Sequence, residues 1–229
     1  MTNFMKPTRR KFIVGTAGVA GSMALSMPAI AAPTPQENEG EIYAKMYGPR
    51  PDEKFPIPAV DIRGLDPAYY RRFGEYKTDE PVGTVIVDTE QKVAFLVLPE
   101  GKAIRYGVGI GRAGFSWAGR GIIQFKRAWP TWTPPSNMIE RQPELEEFRY
   151  GMAPGLDNPL GARALYIFQN GRDTLYRLHG TSDPQSIGKA VSSGCVRFLN
   201  QDVIDIYNRV PDRTPILVTG DASAVHVHS

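Results

Sequence analysis

A sheet-dominated domain, an antiparallel β-sandwich carrying a few short helices, is the fold class this chain predicts, and three observations predict it. Between Val82 and Asp221, short runs rich in Val, Ile, Phe and Tyr alternate with polar turns. Two of those runs flank Asn170-Gly171, the dipeptide that best tolerates positive φ at a tight hairpin. One stretch, Asn200–Val210, carries Val203, Ile206, Tyr207 and Val210 at helical spacing.

In chain order, the first element is not part of the fold. Thr8-Arg9-Arg10-Lys11-Phe12-Ile13 precedes a weakly apolar run with Gly15, Gly18, Gly21, Ser22 and Ser26 that ends at Ala29-Ile30-Ala31. This order reads as a twin-arginine export signal, residues 1–31, cut after Ala31. A retained anchor is the alternative, and the run is short and glycine-rich for one. Export by that route implies the periplasm and a mature chain without a membrane span. The whole sequence holds 27 basic and 24 acidic residues, but the signal takes four of the basic ones and no acid, leaving 23 against 24. A near-neutral mature chain argues against a nucleic-acid partner, which would want clustered Lys and Arg.

Residues 32–81 are rich in proline (Pro33, Pro35, Pro49, Pro51, Pro56, Pro58, Pro67). Proline fixes φ and removes donors, so this segment reads as an extended arm lying on the domain, with a disordered start and a short helix near Pro67–Phe73. Strands follow at Thr84–Asp88, Val93–Leu98, Ala103–Ile110 and Gly121–Arg127. The hairpin Ala164–Phe168 and Thr174–Leu178 leaves His179 at a strand end. The helix Asn200–Val210, capped by Asn200 or Asp202, stops at Pro211 and Pro215, and Ile216–Thr219 closes the domain. Residues 82–221 thus form one domain, and 222–229 a tail with His226 and His228, a pair too sparse for a metal site.

Gly109-Ile110-Gly111-Arg112-Ala113-Gly114 matches the glycine spacing of a dinucleotide-binding turn. That turn works by opening a helix onto pyrophosphate, with an acid about twenty residues on for the ribose. Phe115-Ser116-Trp117-Ala118-Gly119 follows instead, and the distal position falls among Trp129–Pro135, so a glycine-rich loop is the better reading. No cofactor or metal is called for.

The chemistry centres on Cys195, the sole cysteine. In an oxidising envelope a lone thiol is reactive, or else buried and inert. Here it sits in Ser192-Ser193-Gly194-Cys195-Val196-Arg197, with His179 the one histidine inside the domain able to take its proton. Gly194 permits a tight turn, and the backbone N–H groups of Ser193, Gly194 and Cys195 are candidate oxyanion donors. Ser192 reads as a loop-bracing hydroxyl, and Asp183, ahead of Pro184, as a solvated loop carboxylate.

His179-Gly180-Thr181, Ile187-Gly188 and Ser192-x-Gly194-Cys195-Val196-Arg197 resemble the signature of L,D-transpeptidases of the YkuD type, envelope enzymes that cross-link or tether peptidoglycan. Trp129-Pro130-x-Trp132-Thr133-Pro134-Pro135 and Asn158-Pro159-Leu160-Gly161-Ala162-Arg163-Ala164-Leu165 are similar to segments preceding the active site in that family, so the match spans roughly Val82 to Thr219. The resemblance implies the L,D-transpeptidase-like sandwich, with Cys195 as nucleophile, His179 as proton donor and acceptor, and the Gly180 carbonyl orienting the imidazole. Many members have histidine where this chain has Ser193. The substrate would be a peptidoglycan stem peptide, and the acyl acceptor an amine of a second stem, an outer-membrane protein or lipoprotein, or water. The alternatives are an L,D-carboxypeptidase or amidase-type hydrolase and, of another class, a non-catalytic peptidoglycan-binding envelope protein. Arg197 would pair with a stem carboxylate or brace the loop, and Trp129 and Trp132 would wall the groove or pack the core.

Overall fold

Eleven strands and three α-helices make up the regular structure of the residues that the computed structural model describes, 39–111, 117–192 and 194–220. They run as α1 (Glu39–Tyr47), β1 (Arg72–Glu75), β2 (Val85–Asp88), β3 (Val93–Leu98), β4 (Lys102–Gly107), β5 (Ile110–Gly111), β6 (Gly119–Ala128), α2 (Ser136–Arg141), β7 (Arg163–Gln169), β8 (Arg172–Thr181), β9 (Ala190–Ser192), β10 (Val196–Leu199), α3 (Asn200–Arg209) and β11 (Thr214–Thr219). The export signal, part of the glycine-rich loop, Ser193 and the C-terminal tail lie outside the described residues.

Nine strands form one sheet in the order β1-β4-β3-β2-β11-β6-β7-β8-β10, and β5 pairs with β9 beside it. The local hairpins follow from their turns. Asn170 and Gly171 both adopt positive φ (50° and 77°), which lets β7 run straight into β8. Within the nine-stranded sheet two pairings are parallel, β2 with β11 and β8 with β10, as is β5 with β9, so the architecture is mixed where hairpin logic anticipates antiparallel neighbours throughout. Parallel strands need long crossovers, and local turn signals cannot announce them. The sheet closes over one core: Tyr106 on β4 and Phe198 on β10 stand near opposite ends of the strand order, yet their rings meet edge to face with centroids 5.9 Å apart. Val203 and Ile206 of α3, with Val210 just past its end, join Leu165, Leu178, Val196 and Ile216 in that core.

The arm is more structured than its prolines suggest. A proline-free stretch forms α1, and the expected helix near Pro67 is a single 3-10 turn, Pro67–Tyr69, leading into β1 on the edge of the sheet. Tyr47 and Leu65 pack on Ile187 and Leu199, while Phe55 and Ile57 pack on Trp129, Ala162 and Ile204. The expected cap of α3 is absent. Neither Asn200 nor Asp202 caps the helix, because both side chains are turned away from it toward buried partners.

Candidate active site

Strand alternation and one parallel pairing build the site. Val196 faces Leu178 and Arg197 faces His179 across β8 and β10, so Cys195, one residue ahead of β10, comes to the level of Arg177. Leu178 turns into the core, which leaves Arg177 and His179 on the opposite face of β8. Beyond them β8 is kinked: Leu175 takes positive φ (63°), and its carbonyl lies 3.9 Å from the Cys195 sulfur. Gly194 holds φ at +133°, a conformation that favours glycine, and stands against the Tyr176 ring.

His179 is 5 % exposed, and its Nδ1 lies 2.8 Å from the Gly180 carbonyl. A carbonyl only accepts, so Nδ1 carries the proton and Nε2 of the neutral ring is left as an acceptor. Burial pulls the imidazole pKa down to about 4, against the Gly180 and Pro159 carbonyls, which favour the charged ring, and with the Arg197 charge, which opposes it. The half-buried Cys195 moves the other way. Burial raises its thiol, opposed by the Arg177 backbone N–H and by the charges of Arg177 and Arg197. The two groups therefore rest neutral rather than as an ion pair.

The residues expected from sequence divide between this site and the packing behind it. Arg197 stands opposite His179, which meets Gly180, and its charge acts on both His179 and Cys195; Arg197 is half-buried, and its backbone bridges to Gly109. Trp129 does not wall a groove: it is 6 % exposed, meets Phe55 edge to face, and donates its indole N–H to Glu53. Half-buried Trp132 pairs its backbone with Met152 and keeps its side chain within reach of the surface. Asp183 caps a 3-10 turn by accepting from Gln185, and its charge favours the Arg197 guanidinium.

Sequence reasoning missed Arg177, Tyr176, Asn158 and Asn200. Arg177 forms a two-pronged pair with Asp173 and lies over the Tyr166 ring. Tyr176 stacks on Trp117, and burial raises its pKa, with ionisation of the neighbouring Cys195 acting in the same direction. Asn158 donates to the carbonyls of Pro130, Met152 and Ala153 and accepts from Leu160, fixing the loop that carries Pro159. Alternation along β8 from His179 would have pointed to Arg177, but no local signal marks what the side chains of Asn158 and Asn200 hold across the chain. Trp117, Gln169, Asn170, Arg172, Asp173 and Thr174 line a surface cleft of about 570 Å³. Among the described residues no three His, Cys, Asp or Glu side chains gather as metal ligands, and no helix is long and apolar enough to cross a membrane.

The L,D-transpeptidase catalytic domain family, YkuD, matches residues 83–218. The probable L,D-transpeptidase YbiS of Escherichia coli K12 is 35 % identical over 139 residues, 58 % of this chain and 43 % of its own length. The probable L,D-transpeptidase YcfS of the same strain is 33 % identical over 189 residues, 72 % of this chain and 58 % of its length. The chain thus spans about half the length of these curated relatives. A solved Brucella melitensis structure, described as a probable carnitine operon oxidoreductase, is 39 % identical, with a TM-score of 0.48 over 66 % of this chain and 94 % of that one.

Proposed function

Since the chain belongs to the YkuD family of L,D-transpeptidase catalytic domains, we propose that it is a peptidoglycan L,D-transpeptidase with Cys195 as nucleophile and His179 as proton carrier. The observation that supports this reading is the β8–β10 register, in which Arg197, two residues past the lone thiol, lies opposite a buried histidine whose Nδ1 meets the Gly180 carbonyl. Thr8-Arg9-Arg10-Lys11-Phe12 supports export of the protein to the periplasm through residues 1–31. We assign 32–81 to an arm, 82–221 to the catalytic domain and 222–229 to a tail.

Because the resting pair is neutral, thiolate formation accompanies attack. Nε2 of His179 takes the thiol proton as Sγ bonds to the carbonyl carbon of the third stem residue, normally diaminopimelate. The oxyanion is held by backbone N–H groups of Ser193, Gly194 and Cys195. Collapse breaks the C–N bond, and the imidazolium returns its proton to the departing amine of D-alanine. An incoming amine then loses a proton to Nε2, attacks the thioester, and releases the thiol. An amine from another stem gives a 3-3 cross-link, one from an outer-membrane protein or lipoprotein gives a wall anchor, and water gives a carboxypeptidase. Arg197, beside both catalytic groups, fits a stem carboxylate, and Trp132 fits the groove wall.

Mass spectrometry of the mature protein with tetrapeptide muropeptides tests this. Release of D-alanine, an acyl adduct on Cys195 and 3-3 dimers are expected. Folded, reduced protein giving neither release nor adduct would overturn the assignment, and release without dimers would shift it to hydrolysis or to a protein acceptor.

A further inference from the structure

We propose that Asn200, the first residue of α3, is a positioning residue for the active site: its side-chain carbonyl fixes Gly161 and Gly180 in contact, and so sets the carbonyl that orients His179. The inference rests on the role given to His179 above.

An asparagine at a helix start ordinarily spends its side chain on the helix's own N–H groups. Asn200 does not. It is 3 % exposed, its Oδ1 accepts from the Ala162 backbone N–H at 2.9 Å, and its Nδ2 points to the Ser182 hydroxyl at 3.4 Å. It therefore links the start of β7 to the residue just past β8. Gly180 is not at positive φ, so its reason for being glycine is space: a Cβ there would stand 2.2 Å from Asn200 Oδ1 and 3.1 Å from the Ala162 nitrogen. A Cβ on Gly161 would stand 2.5 Å from the same oxygen and 2.7 Å from the Gly180 carbonyl carbon. The Gly180 N–H is held in turn by the Leu160 carbonyl at 3.0 Å. Gly180, whose oxygen faces His179 Nδ1, is thus held at its N–H and crowded at its Cα, and Asn200 is the side chain that closes that contact.

The next two residues keep Asn200 in place. Gln201 donates to the carbonyls of Gly48 and Pro58, and buried Asp202 lies 3.5 Å from the Arg71 guanidinium, so the first turn of α3 is anchored to the arm. Displacing a catalytic group by about 1 Å can cost on the order of a hundredfold in rate.

The test compares the full chain with Asn200→Ala and Asn200→Asp, reading kcat and KM for D-alanine release together with the histidine ring nitrogens by ¹⁵N NMR. Asn200→Ala is expected to lower kcat by about tenfold or more with KM within about twofold, and to lose the single Nδ1–H tautomer of His179. Asn200→Asp keeps the acceptor for Ala162, so kcat stays within about threefold, while its charge beside Gly180 raises the His179 titration. Asn200→Ala with the parent's near-ultraviolet circular dichroism, kcat and tautomer would overturn the proposal. Should that variant not fold, Asn200→Asp decides: an unmoved His179 titration overturns it and a raised one supports it. A parent that releases no D-alanine would sink the proposed reaction, yet the histidine signals would still report on Asn200.

Discussion

At the residue scale, the pair at the centre of the site is tuned by burial rather than by a neighbouring acid. A histidine held down to about 4 stays deprotonated well below the usual imidazole range. The acid limb of kcat/KM is accordingly expected near pH 4 to 5 rather than near 6.5, measured as D-alanine release across pH. The raised thiol makes the complementary prediction that iodoacetamide labels Cys195 slowly at neutral pH and quickly only above the ordinary thiol range. Cys195→Ala should abolish release while leaving the melting temperature near that of the parent, and residual turnover would refute the nucleophile. Cys195 and His179 stood out in the sequence because their residue types are scarce and chemically specific. Trp129 did not, since an aromatic beside prolines reads the same whether it lines a groove or, as here, packs under Phe55.

Elements built from local turns were also legible, several of them to within a residue or two at their ends. The span Val93–Leu98 is a strand as read, and Asn170-Gly171 is the hairpin turn. What escaped were elements defined by distant partners: β1, which is exposed along its length and exists through its pairing with β4, and α1, which is hidden among prolines and held by Tyr43, Tyr47 and Tyr70 packing together. The arm's second anchor gives a prediction at this scale. Glu53 takes both guanidinium prongs of Arg163 and the Trp129 indole, largely out of water. Glu53→Ala strands that cation, and breaking such a pair costs about 3 kcal/mol. Urea unfolding should show that loss, and limited proteolysis should find faster cleavage between residues 48 and 62.

At the scale of the molecule, the arm and the sheet share a buried polar network through α3. Tyr47 and Arg71 of the arm meet Asp202 and Asp205 of the helix, and Asp205 accepts from Tyr106 of β4 and from Arg209. Desolvation raises Asp202 to about 7, so the folded state takes up a proton there that the unfolded chain releases above about pH 4. Stability from this group is present below the unfolded value and is lost as pH rises through 7. Asp202→Asn removes that dependence, and its stability relative to the parent should climb between pH 4 and 7 by up to about 1.4 kcal/mol per pH unit. Buried His179 has the opposite sign: it binds its proton less well when folded, so its contribution declines as pH falls from about 6.5 toward 4. Urea unfolding of parent and variant at several pH values separates the two.

The sequence by itself determined the candidate reactive groups and the local grain of the fold: one thiol, one histidine within the domain, the flanking glycines and strands bounded by turn residues, all of which depend on residue type and short-range φ/ψ preference. Only the tertiary structure decided the parallel pairings, the burial that drives Cys195 and His179 to neutrality, and the packing of Asn200 against glycines some 20 to 39 positions away. Those features depend on which surfaces meet across the chain, and closing long loops is decided by the whole core at once rather than by any stretch of residues within it.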